Sequence, residues 1–307
     1  MTNYPGAIDL LEACENEAVL AVESTLGVNP QGVHASVIAR LNAVDLRIAL
    51  SERIFKASEY GGIQQTIDAA FAAGGGTVLI PWGVTVATLN ATTGTFYTLK
   101  PNVSLIGYGP QSVIKVPDNA GNYKAVFHHD LADSIDDVTF SNFAIDGNAA
   151  NNAVTYPDSA VWVADLKPRM AFMLYKAQRT TIAGMQIRGL DCINTISVNG
   201  VAVEDCAVVD CYFDTPLSPI DHDHSTIYLN GVGCRAQDNH LIGHGWGSRT
   251  AIETHGSLQL VTGNIERGYD QFGVIVVSSN TLVKDNLLSK PVSVGWGSTL
   301  TGLQVAA

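Results

Sequence analysis

Apolar residues recur first at helical and then at strand spacing in the stretch from residue 59 to residue 110. Four of them fit one face of a helix over residues 63–73: Ile63, Ile67, Ala70 and Phe71. Three glycines at 74–76 end that helix, because glycine takes the left-handed backbone of a C-terminal cap without strain. β runs follow at 77–81 and 103–107, and the first ends in a proline, where no ladder N–H is needed. The pattern predicts a short helix that leads into β structure.

The residues before this stretch carry a helical pattern. Apolar positions predict a helix over 7–26, and the glycine, asparagine and proline residues at 27–32 break it. A second helix is predicted from about residue 35 to Lys56. It has a seam with spacings of four and three, as in a coiled coil: Val37, Leu41, Val44, Ile48, Ser51 and Phe55. The seam predicts a homotrimer, and the alternative is a helix packed on its own domain.

From residue 138 onward the chain repeats an apolar strand, a polar turn with glycine, and a second strand. The second strands carry anchors separated by 33, 25 and 22 residues: Cys206, Asn239, Asn264 and Asn286. Steps of this size match the coils of a β-solenoid, and the longest step holds an insertion. We expect the three asparagines to stack as an internal ladder, in which each amide bonds the backbone of the next coil.

Side-chain direction follows from this repeat, because a strand alternates between its two faces. One column is predicted to point inward: Ile196, Ile227, Ile252 and Ile275. The residues after them form a first outward row: Ser197, Tyr228, Glu253 and Val276. A second outward row lies two residues further on: Asn199, Asn230, His255 and Ser278. This register places Glu253 and His255 on one outer face, one coil (about 4.8 Å) from Tyr228.

Composition narrows the class of protein. Of the 307 residues, 46% are hydrophobic and 15% are charged, which is typical of an ordered chain with a buried core. The formal net charge is −12 without a cluster of Lys and Arg, so we expect no nucleic-acid partner. No apolar run approaches about 18 residues, so membrane insertion is not expected. There are five cysteines, an odd number, and their spacing matches no zinc site. We therefore expect no disulfide framework.

The order of these first elements carries a resemblance. A helix, a glycine run, a strand that ends in Pro-Trp-Gly, and the run VSLIGYG at 103–109 resemble the entry into the right-handed parallel β-helices of the pectin-lyase-like superfamily. The resemblance implies an all-β, single-stranded parallel β-helix over residues 59–307, whose open end is covered by the 63–73 helix. The N-terminal helices, with their short coiled-coil stem, are expected to precede it.

A second resemblance covers about residues 3–48. The runs NYPGAIDLLEA and LGVNPQGVHASVIARLNAVD resemble the start of many bacteriophage tail-associated proteins. This implies that residues 1–58 attach the chain to other tail or baseplate proteins. It also implies a place in the tail of the virion, after assembly in the host cytoplasm.

The densest set of polar residues lies between residues 214 and 255. Its first part is the insertion in the long step, a loop shaped by two prolines. The catalytic candidates are Glu253, Asp223, Asp221 and His255. The substrate-binding candidates are Tyr228, Asn230, Trp246, Arg249 and His244. The Asp-His-Asp-His run at 221–224 is the alternative candidate for a metal site, but successive residues of a regular strand face opposite ways, so all four cannot converge. We expect no metal and no other cofactor.

These residue types suit chemistry on a glycan. Hydrolases use two carboxylates at a separation set by whether water or a carboxylate attacks the sugar, whereas lyases need a base beside a uronate. Glu253 and Asp223 are expected to share the acid and base or nucleophile roles, and aromatic rings could stack on sugars. The structural alternative is a set of solvated turns, which also collect Asp and His.

Two local motifs bear on the activity. Gly243-His244-Gly245 resembles the Gly-His-Gly of the polygalacturonase branch, but that branch's other elements are missing, so its activity is not carried over. The run RTAIETHG at 249–256 resembles a strand of phage tailspike β-helices, for which cleavage of surface polysaccharide is the usual role. The sequence therefore predicts a tail spike that binds and cleaves host-surface polysaccharide, as a hydrolase or a lyase. The alternative is a non-enzymatic structural or receptor-binding tail component.

Overall fold

The computed structural model describes residues 53–152, 169–214, 224–245, 247–295, 301–302 and 304–306. The chain divides into two units, Met1–Glu52 and Arg53–Ala307, and the described residues all belong to the second. The predicted helix over 7–26 and most of the predicted stem lie outside them. The described part is a right-handed parallel β-helix, in which three parallel sheets run along the length of the solenoid.

Among the described residues sheet A has ten strands, and strands are numbered in chain order throughout. Its members are β1 (Ile54–Lys56), β2 (Gly76–Leu79), β5 (Val103–Ile106), β9 (Thr139–Ser141), β12 (Thr181–Ala183), β15 (Ala207–Val209), β18 (Arg235–Gln237), β21 (Leu260–Thr262), β24 (Leu282–Lys284) and β27 (Gln304–Val305). Each strand pairs in parallel with the strand one coil away.

In the described ranges sheet B has eight strands. Its members are β3 (Gly83–Val86), β6 (Ser112–Lys115), β10 (Ala144–Asp146), β13 (Gln186–Arg188), β16 (Tyr212–Asp214), β19 (His240–Ile242), β22 (Ile265–Arg267) and β25 (Leu287–Leu288). A short 3-10 helix, Ala149–Asn151, follows β10.

Sheet C carries the longest strands. Along its main path it contains β4 (Thr95–Leu99), β7 (Ala125–His129), β11 (Met170–Gln178), β14 (Asn194–Glu204), β17 (Ser225–Val232), β20 (Thr250–Thr254), β23 (Phe272–Val276) and β26 (Val292–Val294). The two-residue strand β8 (Ile135–Asp136) pairs with β11 beside this path.

Helix α1, Ile63–Ala72, packs on the first strands of the solenoid, as predicted. Its buried face holds four residues: Ile63, Thr66, Ile67 and Ala70. The glycines end it as expected: the Gly74 N–H donates to the Phe71 carbonyl and the Gly75 N–H to the Ala70 carbonyl, both at 2.9 Å. Gly75 has φ +118, and a Cβ there would lie 2.6 Å from the Asn102 carbonyl oxygen. The helix end and the second coil are therefore held in close contact.

The end of the predicted stem is wrong. Residues Ile54–Lys56 form strand β1, which pairs with β2, so a helix cannot continue to Lys56. Phe55 does not belong to a helical seam, because it is half-buried and packs against the core of the solenoid. Ile54 is β-branched and Phe55 is aromatic, and such residues beside an open sheet edge are better placed in the ladder than in a helix.

One inward column runs the length of sheet C. Its members, in register, are Tyr97, Phe127, Phe172, Ile196, Ile227, Ile252, Val274 and Val292. The aromatic part is stacked, with centroids 5.2 Å apart for Tyr97 and Phe127 and 4.9 Å for Phe127 and Phe172. The predicted column is correct for its first three isoleucines and wrong for the fourth. Val274 lies in register with Ile252, whereas Ile275 lies in register with Glu253.

The predicted asparagine ladder is confirmed. The Asn239 amide donates to Asn264 Oδ1 at 2.9 Å, and the Asn264 amide donates to Asn286 Oδ1 at 2.8 Å. Each accepting oxygen also takes the backbone N–H of the preceding rung. The residue that continues this series is Cys211 and not Cys206, because the Cys211 N–H donates to Asn239 Oδ1 at 3.0 Å. Cys206 lies one corner away, before β15.

The described cysteines are free and buried, as expected of thiols that pack as small hydrophobes. They are Cys192, Cys206, Cys211 and Cys234. Burial raises the pKa of the Cys192 and Cys211 thiols to about 12, so both are neutral packing groups. Among the described residues no helix is long and apolar enough to cross a membrane.

Candidate functional site

Glu253 lies in the middle of an outward row on sheet C. In register, the row contains Thr98, His128, Met173, Ser197, Tyr228, Glu253, Ile275 and Ser293. Tyr228 and Glu253 are direct neighbours in this row, as the sequence predicts. The predicted Val276 is replaced by Ile275, which follows from the one-residue difference in the inward column. Among these eight described residues, Glu253 is the one carboxylate.

The Glu253 carboxylate is held at both oxygens. His255 Nε2 donates to Oε1 at 2.6 Å, and the Ser225 hydroxyl donates to Oε2 through a short hydrogen bond. The carboxylate is largely covered, with 12% of the side chain exposed, while His255 keeps 30%. An outward carboxylate with two donors is fixed in orientation and still reaches the surface.

These contacts set the charge state of Glu253. Burial is the largest single effect and acts to raise the pKa of this carboxyl group, but the hydrogen bonds from His255 and Ser225 and the charges of His255 and Arg249 together outweigh it. The pKa of Glu253 is therefore held below its ordinary value. At neutral pH the group is a carboxylate, which suits a base or a nucleophile and does not suit a general acid.

His255 follows the last residue of β20, and its backbone N–H donates to the Leu229 carbonyl at 2.8 Å. Its ring lies against Tyr228, with centroids 4.9 Å apart. The next residue, Gly256, makes this corner possible, because a Cβ there would lie 1.7 Å from the Gly231 carbonyl oxygen. The glycine lets one coil settle directly on the next, and this close approach positions His255 over Tyr228.

Two further candidates line the same part of sheet C. Asn230 shares the outer face with Tyr228, and its amide donates to Asn199 Oδ1 at 2.9 Å, one coil earlier. Arg249 directly precedes β20, and its Nε donates to Gln271 Oε1 at 3.0 Å. Its guanidinium also contributes to the low pKa of Glu253. The structure therefore brings together Glu253 with four of the predicted residues: His255, Tyr228, Asn230 and Arg249.

A buried histidine beside the site was not predicted. His224 directly precedes β17 and is 1% exposed. Neither of its ring nitrogens has a hydrogen-bond partner within the described residues. Its ring stacks on the ring of Tyr269, with centroids 6.4 Å apart. The Tyr269 hydroxyl oxygen lies 2.5 Å from Thr226 Oγ1. Burial lowers the pKa of His224 to about 4, against the opposing pull of Glu253, so the ring is neutral at pH 7.

Ser225 was also missed. It is fully buried at the start of β17, and the repeat pattern placed no functional residue there. The only signal in the sequence is the His224-Ser225-Thr226 run before an apolar strand, which is equally typical of a turn. Its role depends on a contact between two coils, and the separation of 28 residues hides that contact from local patterns.

His244 lies elsewhere. It follows β19 of sheet B, and its Nε2 donates to Asp214 Oδ1 at 2.6 Å, at the end of β16. The predicted convergence of His244 with the Glu253 group is therefore not found among its described contacts. Asp221, Asp223 and Trp246 lie outside the described residues. No set of three or more metal-ligating side chains is arranged around a common point in the described part of the chain.

Comparison with known proteins bears on the fold. No family model and no curated protein matches the sequence. The tailspike protein of E. coli bacteriophage HK620, in complex with a pentasaccharide, matches with a TM-score of 0.61 and 19% identity over 79% of this chain and 44% of that chain. The chain has the β-helix fold of a phage tailspike. It spans less than half the length of that protein.

A second solved structure shares the architecture. The A-module of mannuronan C-5 epimerase AlgE6 from Azotobacter vinelandii matches with a TM-score of 0.54 and 19% identity, over 82% of this chain and 75% of that module. One neighbour is a tailspike solved with a pentasaccharide, and the other is a module of a mannuronan epimerase. At 19% identity the similarity establishes the fold alone. The chemistry of this chain has to be argued from its own residues.

Proposed function

We propose that this chain is part of a phage tail spike or appendage that binds host-surface polysaccharide and cleaves it at the Glu253 face of sheet C. The fold supports the first half of the proposal, because tailspike and polysaccharide-modifying β-helices are its structural neighbours. The second half rests on the residues of the face. Neither neighbour decides whether the reaction is hydrolysis or elimination.

The observation that carries the catalytic proposal is the state of Glu253. An outward carboxylate at the surface of a β-helix has no structural need for two hydrogen-bond donors, yet His255 and Ser225 both serve it. They keep it ionised although it is largely buried. Because it is ionised and fixed in orientation at neutral pH, the carboxylate is ready to attack a sugar or to accept a proton.

The roles follow from this charge state. We assign Glu253 as base or nucleophile, with His255 as the group that orients it. Glycan hydrolysis also needs a proton donor, and Asp223 is proposed for that role, with Asp221 as the second candidate. Tyr228, Asn230, Arg249 and Trp246 are proposed to contact the sugar. His244 is not included in this site, because its ring is hydrogen-bonded to Asp214 on sheet B.

The remaining parts of the proposal concern assembly. Residues 1–52, the part of the expected attachment segment that precedes strand β1, are proposed to attach the spike to other tail or baseplate proteins and to bring three copies together through the Val37 to Ile48 seam. The virion tail is the proposed location, reached after assembly in the host cytoplasm. Three parallel solenoids would present three equivalent polysaccharide-binding faces, which multiplies attachment to a repetitive surface.

A binding-only spike is the second candidate. It is favoured by one observation: within the part of sheet C that the structure describes, Glu253 has no second carboxylate in its row, whereas a hydrolase needs two. In that case the same face, with Tyr228 and Asn230, would hold the glycan without breaking it.

The test is product release from envelope polysaccharide of candidate hosts. New reducing ends without unsaturated sugars indicate hydrolysis, and new ends with absorbance from unsaturated uronate indicate elimination. Binding of the polysaccharide without either product, in hosts that the phage infects, would remove the enzymatic half of the proposal and leave the binding half.

A further inference from the structure

Sheet B carries a groove that is separate from the Glu253 face. It has a volume of about 550 Å³ and opens on the outer side of the sheet. Its lining residues are Val84, Val113, Asp146, Arg188, Gly189, Asp214 and His244. They come from strands β3, β6, β10, β13 and β16, and from the turn after β19. The groove therefore crosses several coils along the axis of the solenoid.

The charged residues of the groove are arranged in a single row. Asp146 pairs in register with Arg188, and Arg188 pairs in register with Asp214. Lys115 precedes Asp146 in the same row, so the charges alternate in sign along four neighbouring strands. Neighbouring strands lie about 4.8 Å apart, so Asp146 and Asp214 stand on the two strands that flank Arg188.

Arg188 does not use these carboxylates. It forms no ion pair with any described residue, and its one side-chain hydrogen bond runs to Gln186 Oε1 at 3.4 Å. The Arg188 side chain is exposed, so its remaining N–H donors face the groove and solvent. Asp146 accepts the Asn148 N–H at 2.8 Å through Oδ1, and Asp214 accepts His244 at 2.6 Å through its own Oδ1. The row therefore offers the N–H donors of Arg188 between two carboxylates, Asp146 and Asp214, each of which is held in place by a hydrogen bond.

Apolar and aromatic surface lies beside this row. Val84 and Val113 are paired in register and line one end of the groove, and Val84 is 63% exposed. At the other end Tyr212 lies two residues before Asp214 on the same strand. The rings of Tyr212 and His240 are perpendicular, and their centroids are 5.4 Å apart. Apolar patches next to a few directed polar groups are the composition of a small-molecule site.

We propose that this groove is a second glycan-binding site, specific for an uncharged saccharide segment. Carboxylates and a guanidinium side by side can each bond a sugar hydroxyl, while the valines and Tyr212 can cover C–H faces. A uronate is disfavoured, because its carboxylate would meet Asp146 or Asp214 on either side of Arg188. This inference rests on the proposed function, because it assumes that the spike works on a glycan.

The site would act as an anchor at a distance from the reaction. A polysaccharide that touches both sheet B and sheet C gains affinity from the second contact without any change in chemistry. The anchor should therefore affect long chains and whole envelopes more than short fragments. It should leave the turnover of a bound short fragment unchanged.

The test uses the full chain with Glu253→Gln, which removes cleavage, and an array that carries neutral and uronate-containing oligosaccharides. Arg188→Ala and Asp214→Ala should each weaken binding to the neutral ligands about tenfold, the usual effect of removing a hydrogen bond to a charged group. Arg267→Ala is the matched control, because Arg267 is exposed in the same register row, two coils beyond Asp214, and does not line the groove. It should bind as the parent does.

The outcomes separate this inference from the proposed function. Loss of neutral-glycan binding in both groove variants, with the control intact, supports the second site even if the parent chain cleaves nothing. Unchanged binding overturns it even if Glu253 proves catalytic. Sedimentation of the same variants supplies a further outcome: a changed oligomeric state would show that the groove is a contact between copies of this chain, which also overturns the inference.

Discussion

Nε2 of His255 lies 2.6 Å from Oε1 of Glu253, and the two residues are only two positions apart in the chain. A strand places such a pair on one face, and Gly256 then lets the coil close tightly enough to fix the ring over Tyr228. The geometry therefore comes from the strand period and from a coil contact acting together. The charge state of Glu253 depends on it.

Replacement of Ser225 by alanine should move the acid limb of the pH–activity profile to higher pH. Ser225 donates to Oε2 of Glu253, and this bond helps to hold the pKa of Glu253 below its ordinary value. Without it the pKa rises, so the carboxylate becomes protonated at a higher pH and the base is lost there. The measurement is kcat/KM for product release across the acid range.

Ser197→Ala is the matched control for this variant. Ser197 is equally buried and lies in the same row as Glu253, but it is not bonded to that carboxylate. Its profile should overlay that of the unaltered protein. An acid limb that stays in place in Ser225→Ala would contradict the assigned charge state.

His224 should make the fold less stable in acid. Its pKa is about 4 in the folded chain, below its ordinary value of 6.5, so the unfolded chain binds the proton more readily between these two values. Stability is full above pH 6.5 and falls as the pH drops toward 4, by a total on the order of 3 kcal/mol. Urea unfolding at pH 7 and at pH 4.5 measures the difference.

His224→Phe should flatten this dependence. The phenyl ring keeps the contact with Tyr269 and carries no group to protonate. Parallel pH curves for the unaltered protein and His224→Phe would mean that His224 is not the group responsible.

Asn264→Ala should lower the free energy of unfolding by about 3 kcal/mol or more. Asn264 is fully buried and bonds both neighbours of the ladder, so alanine leaves several polar groups of adjacent coils without partners. Asn199→Ala, which removes one half-exposed bond to Asn230, should cost no more than about 1 kcal/mol. Equal losses in urea unfolding would show that the ladder does not stabilise the solenoid.

The stem predicts a homotrimer. Leu41→Asp combined with Ile48→Asp places charges in the predicted seam, so the oligomer should dissociate while the β circular dichroism of the solenoid stays unchanged. Light scattering of the unaltered chain and of the variant measures this. A monomer at micromolar concentration before any substitution would rule out the seam as an oligomerisation element.

Much of the fold could be predicted because two periods are clear in the sequence, the helical spacing of apolar residues and the repeat of the coils. Helical spacing followed by glycines gave α1 and its cap, and the repeat with alternating faces gave the Tyr228–Glu253 neighbours. The ladder was readable because buried asparagine recurs once per coil and has few other ways to satisfy its amide.

The failures have physical causes of the same kind. Val274, Ile275 and Val276 are all apolar, and Ile275 is 2% exposed although it faces outward, so alternation gave no sign of the register. Phe55 fits the helical spacing by chance, but it lies in strand β1, which pairs with the edge of β2. Contacts between coils, such as that of Ser225 with Glu253, have no local signature at all.

The most direct test of the account is product release by Glu253→Gln. Glutamine keeps the shape of the side chain and can neither accept a proton as a base nor attack as a nucleophile, so the rate should fall at least about a hundredfold, with an unchanged melting temperature. Glu204→Gln, an exposed glutamate at the end of β14 on the same sheet, should retain full activity. Equal rates of reducing-end release from Glu253→Gln and from the unaltered protein would contradict the account.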